Sequence, residues 1–299
     1  MSTAGEQAAA DGGGPLASAV ARALPSAVKP WVQKSVWKAV YGVASRGEAG
    51  PGTAFMNYGY ASLEASQDGA AGDGAEADIY GIQLYDRVAS GCDLKDKDVL
   101  EVGCGRGGGT AFVFERHGPR SMIGLDLARS AIELCRRQQA RPGLTFVQGD
   151  AEKLPFGNSS FDAIVNVESS HCYPDVPRFL GEVHRVLRPG GYLLLADVRA
   201  THVDPRSRDR LVPRTDVAKF RAEIDSSPLT VLEEEVITPN VFLALQLDSP
   251  RRRRLIEANV RKSLQPRALG FAAVEGTRVY QEYADGRLTY LRFVLRKES

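Results

Sequence analysis

The stretch that most constrains the fold is residues 99–109, which read V-L-E-V-G-C-G-R-G-G-G. A short apolar run, interrupted only by Glu101, predicts a strand that ends in a glycine-rich turn. Glycines carry no Cβ, so a ligand can approach this backbone closely. Residues 110–117 contain neither glycine nor proline and are expected to continue as a helix. A strand, glycine turn and helix in this order place a nucleotide-like ligand at the carboxyl end of a parallel sheet.

The glycine spacing fits two kinds of cofactor. Gly103, Gly105 and Gly108 satisfy G-x-G-x-x-G, which is typical of dinucleotide binding. Glu101 with Gly103, Gly105 and Gly107 satisfies E-x-G-x-G-x-G, which favours S-adenosylmethionine. A glycine pattern is weakly specific, so the remainder of the chain has to decide between the two.

Composition excludes several classes of protein. Of the 299 residues, 43% are hydrophobic, which is ample for a buried core. A net charge of +1 argues against a dedicated nucleic-acid binder. The four cysteines form no C-x-x-C pair, which argues against a zinc site or a disulfide framework and fits a cytoplasmic location. No run has the length of a transmembrane segment.

The first fifty residues are expected to lie outside the main domain. Residues 1–14 are rich in alanine and glycine and predict a disordered tail. Residues 15–50 predict an N-terminal helical flap that contains Trp31 and Trp37 and packs on the main domain. A membrane-surface helix is the alternative, because three lysines accompany these aromatic residues.

From residue 98 onward, apolar strands alternate with helices, which is typical of a parallel sheet covered on both faces. Ser130 and Glu133 form an S-x-x-E pattern that predicts a capping box at one helix start. The sequence R-P-G-G at residues 188–191 predicts the end of another helix. The predicted strands are 99–102, 121–125, 144–148, 161–167 and 192–198.

Residues 201–268 interrupt this alternation and predict a helical cap insertion over the ligand edge of the sheet. Within the insertion, Arg251 to Arg254 are expected to form a solvated helix face. Binding of an acidic partner or a phosphate group by these arginines is the alternative.

The end of the chain predicts an antiparallel β-hairpin. Asp285-Gly286 is a strong turn signal between residues 271–284 and 287–297. The predicted fold class is therefore α/β: a Rossmann-like, mostly parallel seven-stranded sheet that ends in an antiparallel hairpin. Dinucleotide-binding sheets do not usually end in this way.

Four motifs follow one another in residues 99–198. They are E-V-G-C-G-R-G from Glu101, an acidic strand end at Asp126, G-D-A-E-K-L-P-F from Gly149 and R-V-L-R-P-G-G from Arg185. Together these motifs resemble those of a class I S-adenosylmethionine-dependent methyltransferase. The resemblance selects S-adenosylmethionine as the cofactor, with S-adenosylhomocysteine as the product.

A longer motif narrows the resemblance. Residues 166–175 read N-V-E-S-S-H-C-Y-P-D and, with the glycine loop, resemble the phthiotriolone/phenolphthiotriolone dimycocerosate methyltransferases. Those enzymes methylate a hydroxyl on a polyketide-derived lipid. The resemblance runs from about residue 55 onward, so residues 55–299 are predicted to form one methyltransferase domain.

The resemblance assigns cofactor contacts to the ends of the second and third strands. Asp126 is expected to accept hydrogen bonds from both ribose hydroxyls, with Leu127 beside it. Asp150 is expected near the adenine amino group, Ala151 to donate its backbone N–H to the ring, and Glu152 to lie nearby. The alternative for either aspartate is a helix N-cap.

Other cofactor contacts are expected near the methionyl end. Asn166 ends the fourth strand there, and Glu101 is expected to favour the ammonium group or to have a structural role. Tyr58 and Tyr60 lie in a segment that resembles the part of tocopherol-type methyltransferases that closes over the cofactor. Either tyrosine is expected to cover the sulfonium by a cation–π contact, or to be part of ordinary aromatic packing.

His171 is the predicted general base, because it follows the fourth strand and an unperturbed histidine titrates near neutrality. Asp197 ends the fifth strand at the same edge and is expected to orient His171, an arrangement that resembles natural-product O-methyltransferases. A substrate-positioning or structural histidine is the alternative. His184 is expected to be structural, and His202 is a second candidate. No metal site is predicted.

The predicted function is O-methylation of a hydroxyl on a small hydrophobic acceptor, a polyketide- or lipid-derived secondary metabolite. Carboxyl methylation of a fatty acid is the first alternative, with Arg199 holding the carboxylate. C- or N-methylation, a nicotinamide-dependent oxidoreductase and a non-catalytic binding protein are the others. No nucleic-acid partner is expected, and a weak homodimer is left open.

Overall fold

The computed structural model describes residues 54–64, 78–202 and 216–298. The predicted disordered tail at 1–14 and the predicted helical flap at 15–50 lie outside the described residues. Part of the predicted cap insertion, residues 203–215, also lies outside them.

The centre of the protein is one mixed β-sheet. Its strands in the described residues are β1 (Asp98–Val102), β2 (Ser121–Asp126), β3 (Leu144–Gln148), β4 (Phe161–Val167), β5 (Leu187–Ala200), β6 (Thr230–Val236) and β7 (Leu288–Arg296). Their spatial order is β3-β2-β1-β4-β5-β7-β6. Strands β1 to β5 pair in parallel, and β7 is antiparallel to both β5 and β6. This topology confirms the Rossmann-like α/β fold.

Helices cover both faces of the sheet. Those in the described residues are α1 (Ile79–Ala89), α2 (Gly108–His117), α3 (Arg129–Gln138), α4 (Val176–Val186), α5 (Val217–Asp225), α6 (Thr238–Asn259), α7 (Gln265–Phe271) and α8 (Arg278–Ala284), with short 3₁₀ helices at Ser170–Cys172 and Lys262–Leu264. Successive residues of a strand point to opposite faces. Accordingly, Val99 packs in one apolar cluster with Leu84 of α1, and Leu100 packs in a second with Phe179 of α4. Burying each such side chain contributes about 1.5–3 kcal/mol.

Two local boundaries differ from the sequence-based expectation. The N-cap of α3 is Ala128, without a side-chain cap, so the capping box predicted for Ser130 and Glu133 is wrong. Glu133 instead accepts a hydrogen bond from Arg129 at 2.8 Å, a pairing that four-residue spacing on a helix allows. Strand β5 begins directly after α4, so the R-P-G-G segment is part of the strand that was predicted to begin at residue 192.

The antiparallel ending is present, but the first strand assigned to it is wrong. The partner of β7 is β6, whereas residues Arg278–Ala284 form helix α8. The turn signal at Asp285-Gly286 ends this helix: Gly286 has φ of 67°. Its N–H donates to Tyr283 O at 3.0 Å, and Arg287 N–H donates to Glu282 O at 2.8 Å. This is a Schellman C-cap, which uses the same residue types as a tight hairpin turn.

The predicted cap insertion is only partly helical, because it contains β6 as well as α5 and α6. The acidic residues of β6 pair with arginines of neighbouring elements. Glu233 lies 2.8 Å from Arg292 of β7, and Glu234 lies 2.6 Å from Arg221 of α5. The region therefore supplies the edge strand of the sheet.

The arginine run of α6 was predicted to be a solvated helix face, and this prediction is wrong for two of the four residues. Arg251 and Arg252 both bind the carboxylate of Asp248, which is 3% exposed. The Nε atoms lie 2.5 Å and 2.8 Å from its oxygens. Arg252 also donates to the carbonyl oxygen of Tyr58 at 2.9 Å. These two arginines therefore tie α6 to the segment 54–64.

We expect Asp248→Asn to lower the free energy of unfolding by about 3 kcal/mol, because two arginines lose their buried counter-charge. Urea denaturation followed by circular dichroism measures this change. The matched control is Glu133→Gln, which removes an exposed partner of Arg129 and is expected to leave the midpoint unchanged. Equal midpoints for both variants would contradict the structural role of Asp248.

Candidate active site

A cleft that is partly open to solvent lies at the carboxyl ends of β1, β2 and β4. Ligands of parallel α/β sheets bind at this edge. Residues 54–57 form part of its wall opposite the glycine loop. The predicted site residues that line it are Gly103, Gly105, Asp126, Leu127, Asp150, Ala151 and Glu152.

The glycine loop is fixed to the end of β2 by Asp126. The Asp126 carboxylate accepts hydrogen bonds from the backbone N–H of Gly105 at 3.0 Å and of Ala128 at 2.8 Å. Gly105 has φ of 53°, in the left-handed region that favours glycine. Burial raises the pKa of Asp126, although these hydrogen bonds oppose the rise. Because each carboxylate oxygen has two acceptor positions, Asp126 retains acceptor capacity beside the cleft, as ribose hydroxyls require.

Glu101 lies behind the glycine loop, outside the lining of the cleft. It is fully buried and accepts hydrogen bonds from Tyr85 Oη at 2.7 Å and from Thr110 Oγ1. Burial raises its pKa to about 7, although both hydrogen bonds oppose this rise. These contacts fit the structural role that the sequence left open, and contact with the cofactor ammonium stays a prediction.

The turn after β3 forms the next part of the wall. Asp150 accepts a hydrogen bond from the backbone N–H of Glu152 at 2.9 Å, which fixes the turn. Glu152 Oε1 accepts from the N–H of Asp175 at 2.9 Å, and its carbonyl accepts from Arg178 Nε at 2.9 Å. The turn is thereby attached to the start of α4, with Ala151 facing the cleft.

Asn166 does not line the cleft, but its side chain holds residues of the cleft wall in place. Its Nδ2 lies 2.9 Å from Val102 O, 2.8 Å from Ser169 Oγ and 3.0 Å from Tyr173 Oη. A Cβ on Gly103 would come within 2.3 Å of Ser169 Oγ, so the loop after β4 packs directly on the glycine loop. The Oδ1 atom of Asn166 is buried without a hydrogen-bond partner among the described residues.

The structure brings His171 and Asp197 together, but β5 continues to Ala200, so the prediction that Asp197 ends the strand is wrong. Asp197 is fully buried on β5, and its carboxylate accepts from His171 Nδ1 at 2.7 Å and from His171 N–H at 2.8 Å. Ser170 Oγ donates to it at 2.5 Å. The His171 side chain is 26% exposed; Ser169 and Cys172, on either side of it, line the cleft, although His171 does not.

The charges of this pair shift both pKa values. Burial opposes ionisation of Asp197, but the positive charges of His171 and Arg199 outweigh burial and hold its pKa well below the usual range. Burial lowers the pKa of His171, but the neighbouring Cys172 and Asp197 outweigh burial and raise that pKa well above its usual value. The neutral imidazole, which is the form that can accept a proton, is therefore populated at higher pH than for an ordinary histidine.

Arg199 belongs to the same network. Its side chain is 1% exposed, lies 3.1 Å from Asp197 and donates to Ser170 Oγ at 2.7 Å. The guanidinium also stacks over the Phe220 ring at 3.7 Å. Arg199 therefore faces these partners and is not among the residues that line the cleft, which argues against its holding a substrate carboxylate.

Glu168 is the residue of the site that the sequence-based reasoning missed. It lines the cleft directly after β4 and has φ of 47°. Its Oε1 accepts from Tyr58 N–H at 2.7 Å and from Tyr290 Oη at 2.9 Å. Burial raises its pKa to about 7 against these hydrogen bonds. Its place at the carboxyl end of a parallel strand was the available signal.

The predicted aromatic cover is arranged differently from the expectation. Tyr58 packs edge-on against Tyr283, with ring centroids 5.7 Å apart, and neither Tyr58 nor Tyr60 lines the cleft. Phe55 and Met56 line it instead. Cation–π contact by either tyrosine stays a prediction.

No cluster of three or more His, Cys, Asp or Glu side chains in residues 54–64, 78–202 and 216–298 is arranged to hold a metal ion. Within the same ranges, the helices lack the combination of length and hydrophobicity that crossing a membrane requires.

The fold and cleft define a methyltransferase with a Rossmann-like sheet, and comparisons with known proteins agree. Residues 100–195 match the family model described as a methyltransferase domain. The phthiotriol/phenolphthiotriol dimycocerosates methyltransferase of Mycobacterium tuberculosis is 36% identical over 272 residues, which cover 89% of this chain and 93% of that protein. The fatty-acid O-methyltransferase of Mycolicibacterium smegmatis is 39% identical over 219 residues, covering 72% and 73%.

A solved structure shows the same fold at low sequence identity. The geranyl diphosphate C-methyltransferase of Streptomyces coelicolor, crystallised with S-adenosyl-L-homocysteine, superposes with a TM-score of 0.65 at 15% identity over 87% of this chain and 97% of that one. The chain belongs to the S-adenosylmethionine-dependent methyltransferase family that includes the phthiotriol/phenolphthiotriol dimycocerosates methyltransferases. Its cofactor is S-adenosylmethionine.

We expect Gly109→Ala to destabilise the protein by about 1–3 kcal/mol and to weaken binding of S-adenosylhomocysteine, because its Cβ would overpack the core beside the glycine loop. That Cβ would lie 1.9 Å from the Tyr85 ring, whose hydroxyl binds Glu101. Thermal unfolding and isothermal titration calorimetry measure the two effects.

Gly181→Ala is the matched control, since nothing lies within 4 Å of its Cβ in helix α4. There the same substitution is expected to stabilise by about 0.5–1 kcal/mol. Unchanged stability and binding in Gly109→Ala would show that Tyr85 is not constrained as described.

Proposed function

We propose that this enzyme O-methylates a hydroxyl group on a hydrophobic, lipid- or polyketide-derived acceptor, with His171 as the general base. The observation that carries the proposal is the 2.7 Å hydrogen bond between His171 Nδ1 and the buried carboxylate of Asp197, beside the cofactor cleft. An aliphatic hydroxyl is scarcely ionised at neutral pH, so its methylation benefits from a positioned base. The names of the mycobacterial relatives support a long apolar acceptor.

When bound, S-adenosylmethionine supplies a methyl group that is already activated by its sulfonium. The chain then has to align the acceptor oxygen, exclude water and take up one proton. Asp126 and the turn at Asp150 hold the nucleoside part, as predicted from the sequence. Residues 54–57 close the opposite side and restrict the entry of water.

His171 and Asp197 divide the proton transfer between them. Asp197 accepts from Nδ1–H and so fixes the tautomer in which Nε2 is the basic ring nitrogen. Nε2 would take the proton of the acceptor hydroxyl as its oxygen bonds to the methyl carbon, and the methyl–sulfur bond would break to leave S-adenosylhomocysteine. The imidazolium that results is stabilised by the ionised Asp197, which itself stays unprotonated.

Methylation of a fatty-acid carboxylate is the second candidate, favoured by the 39% identity to the fatty-acid O-methyltransferase. A carboxylate is already ionised and needs no base. A role for His171 in turnover therefore separates the two candidates. The cytoplasmic location, the weak homodimer and the absence of a nucleic-acid partner stay predictions.

We expect His171→Ala to lower kcat by about 10²–10⁴-fold on a hydroxyl acceptor, because the loss of a general base costs about that much. Affinity for S-adenosylhomocysteine should be retained. The assay transfers labelled methyl groups to a long-chain diol of the phthiotriol type and, in parallel, to a long-chain fatty acid, with product detection by mass spectrometry. His184→Ala on α4 is the control.

Three results would count against the proposal. One is full turnover of the diol by His171→Ala, which removes the base. Another is methylation of the fatty acid alone, which moves the assignment to the carboxyl reaction. The third is cofactor binding without transfer to either acceptor by the native protein.

We expect kcat/KM on the diol to rise with pH across neutrality. Only neutral His171 can accept a proton, and Asp197 raises the pKa of His171, so the neutral form accumulates at higher pH than for an ordinary histidine. Asp197→Asn removes that charge and should move the acidic limb of the profile to lower pH, with a reduced plateau. An acidic limb at the same pH in both proteins would contradict this account.

A further inference from the structure

We propose that Glu168 is a positioning residue that latches residues 54–64, the N-terminal strap, over the cofactor cleft. The proposal rests on two hydrogen bonds that Glu168 Oε1 accepts. One comes from Tyr58 N–H of the strap, and the other comes from Tyr290 Oη of β7. One cleft-lining carboxylate thus connects the strap, the loop after β4 and the antiparallel edge of the sheet.

The strap is a wall of the cofactor cleft. Its first residues pack on the glycine loop so closely that a Cβ on Gly108 would lie 2.6 Å from Ala54 O. The Phe55 ring meets the Tyr85 ring edge-on, with centroids 5.7 Å apart. With the strap in this position, part of the nucleotide-binding loop is covered, and displacement of the strap would widen the cleft for exchange of S-adenosylmethionine and S-adenosylhomocysteine.

Besides Glu168, helices α1 and α6 hold the strap through hydrogen bonds. Ala61 exchanges hydrogen bonds with Asn240 of α6 at 3.2 Å and 3.0 Å. Arg252 donates to Tyr58 O at 2.9 Å. Tyr58 is therefore held on one side by Arg252 and on the other by Glu168, and only Glu168 is a side chain of the cleft itself.

The backbone at Glu168 supports a specific role for this side chain. A φ of 47° is uncommon for a residue other than glycine and costs free energy. The Glu168 N–H donates to Ala196 O at 2.9 Å, which holds the residue beside β5. This conformation directs the carboxylate at the strap, where a glycine could supply no acceptor.

The charge on Glu168 couples the latch to pH. The strap contacts Glu168 through the backbone N–H of Tyr58. The titratable groups that act on Glu168 from the other neighbouring elements are Tyr85 of α1, His171 of the 3₁₀ helix, Asp197 of β5 and Tyr290 of β7. Burial raises the pKa of Glu168 from the ordinary 4.5 to about 7 while the strap contacts this carboxylate. An open strap would expose the carboxylate to water and lower its pKa toward the ordinary value.

The sign of the pH effect follows from this difference. The closed state binds a proton on Glu168 more readily than the open state, so closure is favoured as pH falls from about 7 toward 4.5. Above that range both states are ionised, and closure no longer depends on this group. The closed state then carries a buried negative charge, which is unfavourable.

The test measures affinity for S-adenosylhomocysteine by calorimetry from pH 6 to pH 7.5 in the wild type, Glu168→Gln and Glu168→Ala. Glu168→Gln keeps an acceptor oxygen and cannot ionise. The ratio of wild-type to Gln affinity is expected to rise by about tenfold as pH falls through this range. Glu168→Ala removes the acceptor and should bind about tenfold more weakly than Gln at every pH.

Hydrogen exchange of the strap provides a second readout with bound S-adenosylhomocysteine. The Tyr58 amide donates to Glu168, so peptides that contain it should exchange faster in Glu168→Ala. Glu133→Gln on α3 is the matched control, because it makes the same chemical change at an exposed position outside the cleft lining and should alter neither readout. Circular dichroism confirms that each variant is folded.

The outcomes separate the latch from a general structural role. The proposal would be overturned by two results together. The ratio of S-adenosylhomocysteine affinities of the wild type and Glu168→Gln would be constant across the pH range, and the strap of Glu168→Ala would exchange hydrogen at the wild-type rate. A pH-dependent ratio together with faster exchange would establish it. Neither readout involves the acceptor, so the result is independent of which group is methylated.

Discussion

The buried carboxylate of Asp197 is the interaction on which the organisation of the site depends. Burying an unpaired carboxylate in an apolar environment costs free energy. The groups that donate hydrogen bonds to Asp197 are therefore held close to its charge. His171 donates from both backbone and ring, and Ser170 and Arg199 complete the network. The segment after β4 is thereby fixed against β5, and this segment supplies part of the cleft wall: Glu168, Ser169, Cys172 and Tyr173.

Three carboxylates around the cleft, of which Asp197 and Glu101 are fully buried and Glu168 is partly buried, take opposite electrostatic roles. Asp197 stays ionised because cationic groups face it, whereas burial raises the pKa of Glu101 and of Glu168 to about 7. The last two accept hydrogen bonds from hydroxyl or backbone N–H groups rather than from cations. A fixed negative charge therefore lies beside the proposed base, while the charge of the other two responds to their surroundings.

The cleft is assembled from parts of the chain that are far apart. Arg252 and Tyr58 are separated by 194 positions, and Tyr290 and Glu168 by 122. Helix α6 thus holds the strap, the strap covers the glycine loop, and the antiparallel edge of the sheet holds the latch. The region beyond the parallel strands belongs to the cofactor site as well as to the edge of the sheet.

The sequence by itself determined the parts whose signals are local. Apolar runs, strand ends and turn glycines identified the parallel strands, Asp126, Asp150 and the pairing of His171 with Asp197, because parallel strands bring their carboxyl ends to one edge. Only the tertiary structure decided the rest. Asp285-Gly286 is compatible with a hairpin and with a helix end. The sequence predicts solvated side chains for Arg251 and Arg252, and only the structure shows that both bind the buried Asp248. Glu168 acquires its role through its hydrogen bonds with Tyr58 and Tyr290. These assignments depend on partners distant in sequence, and local periodicity carries no information about such partners.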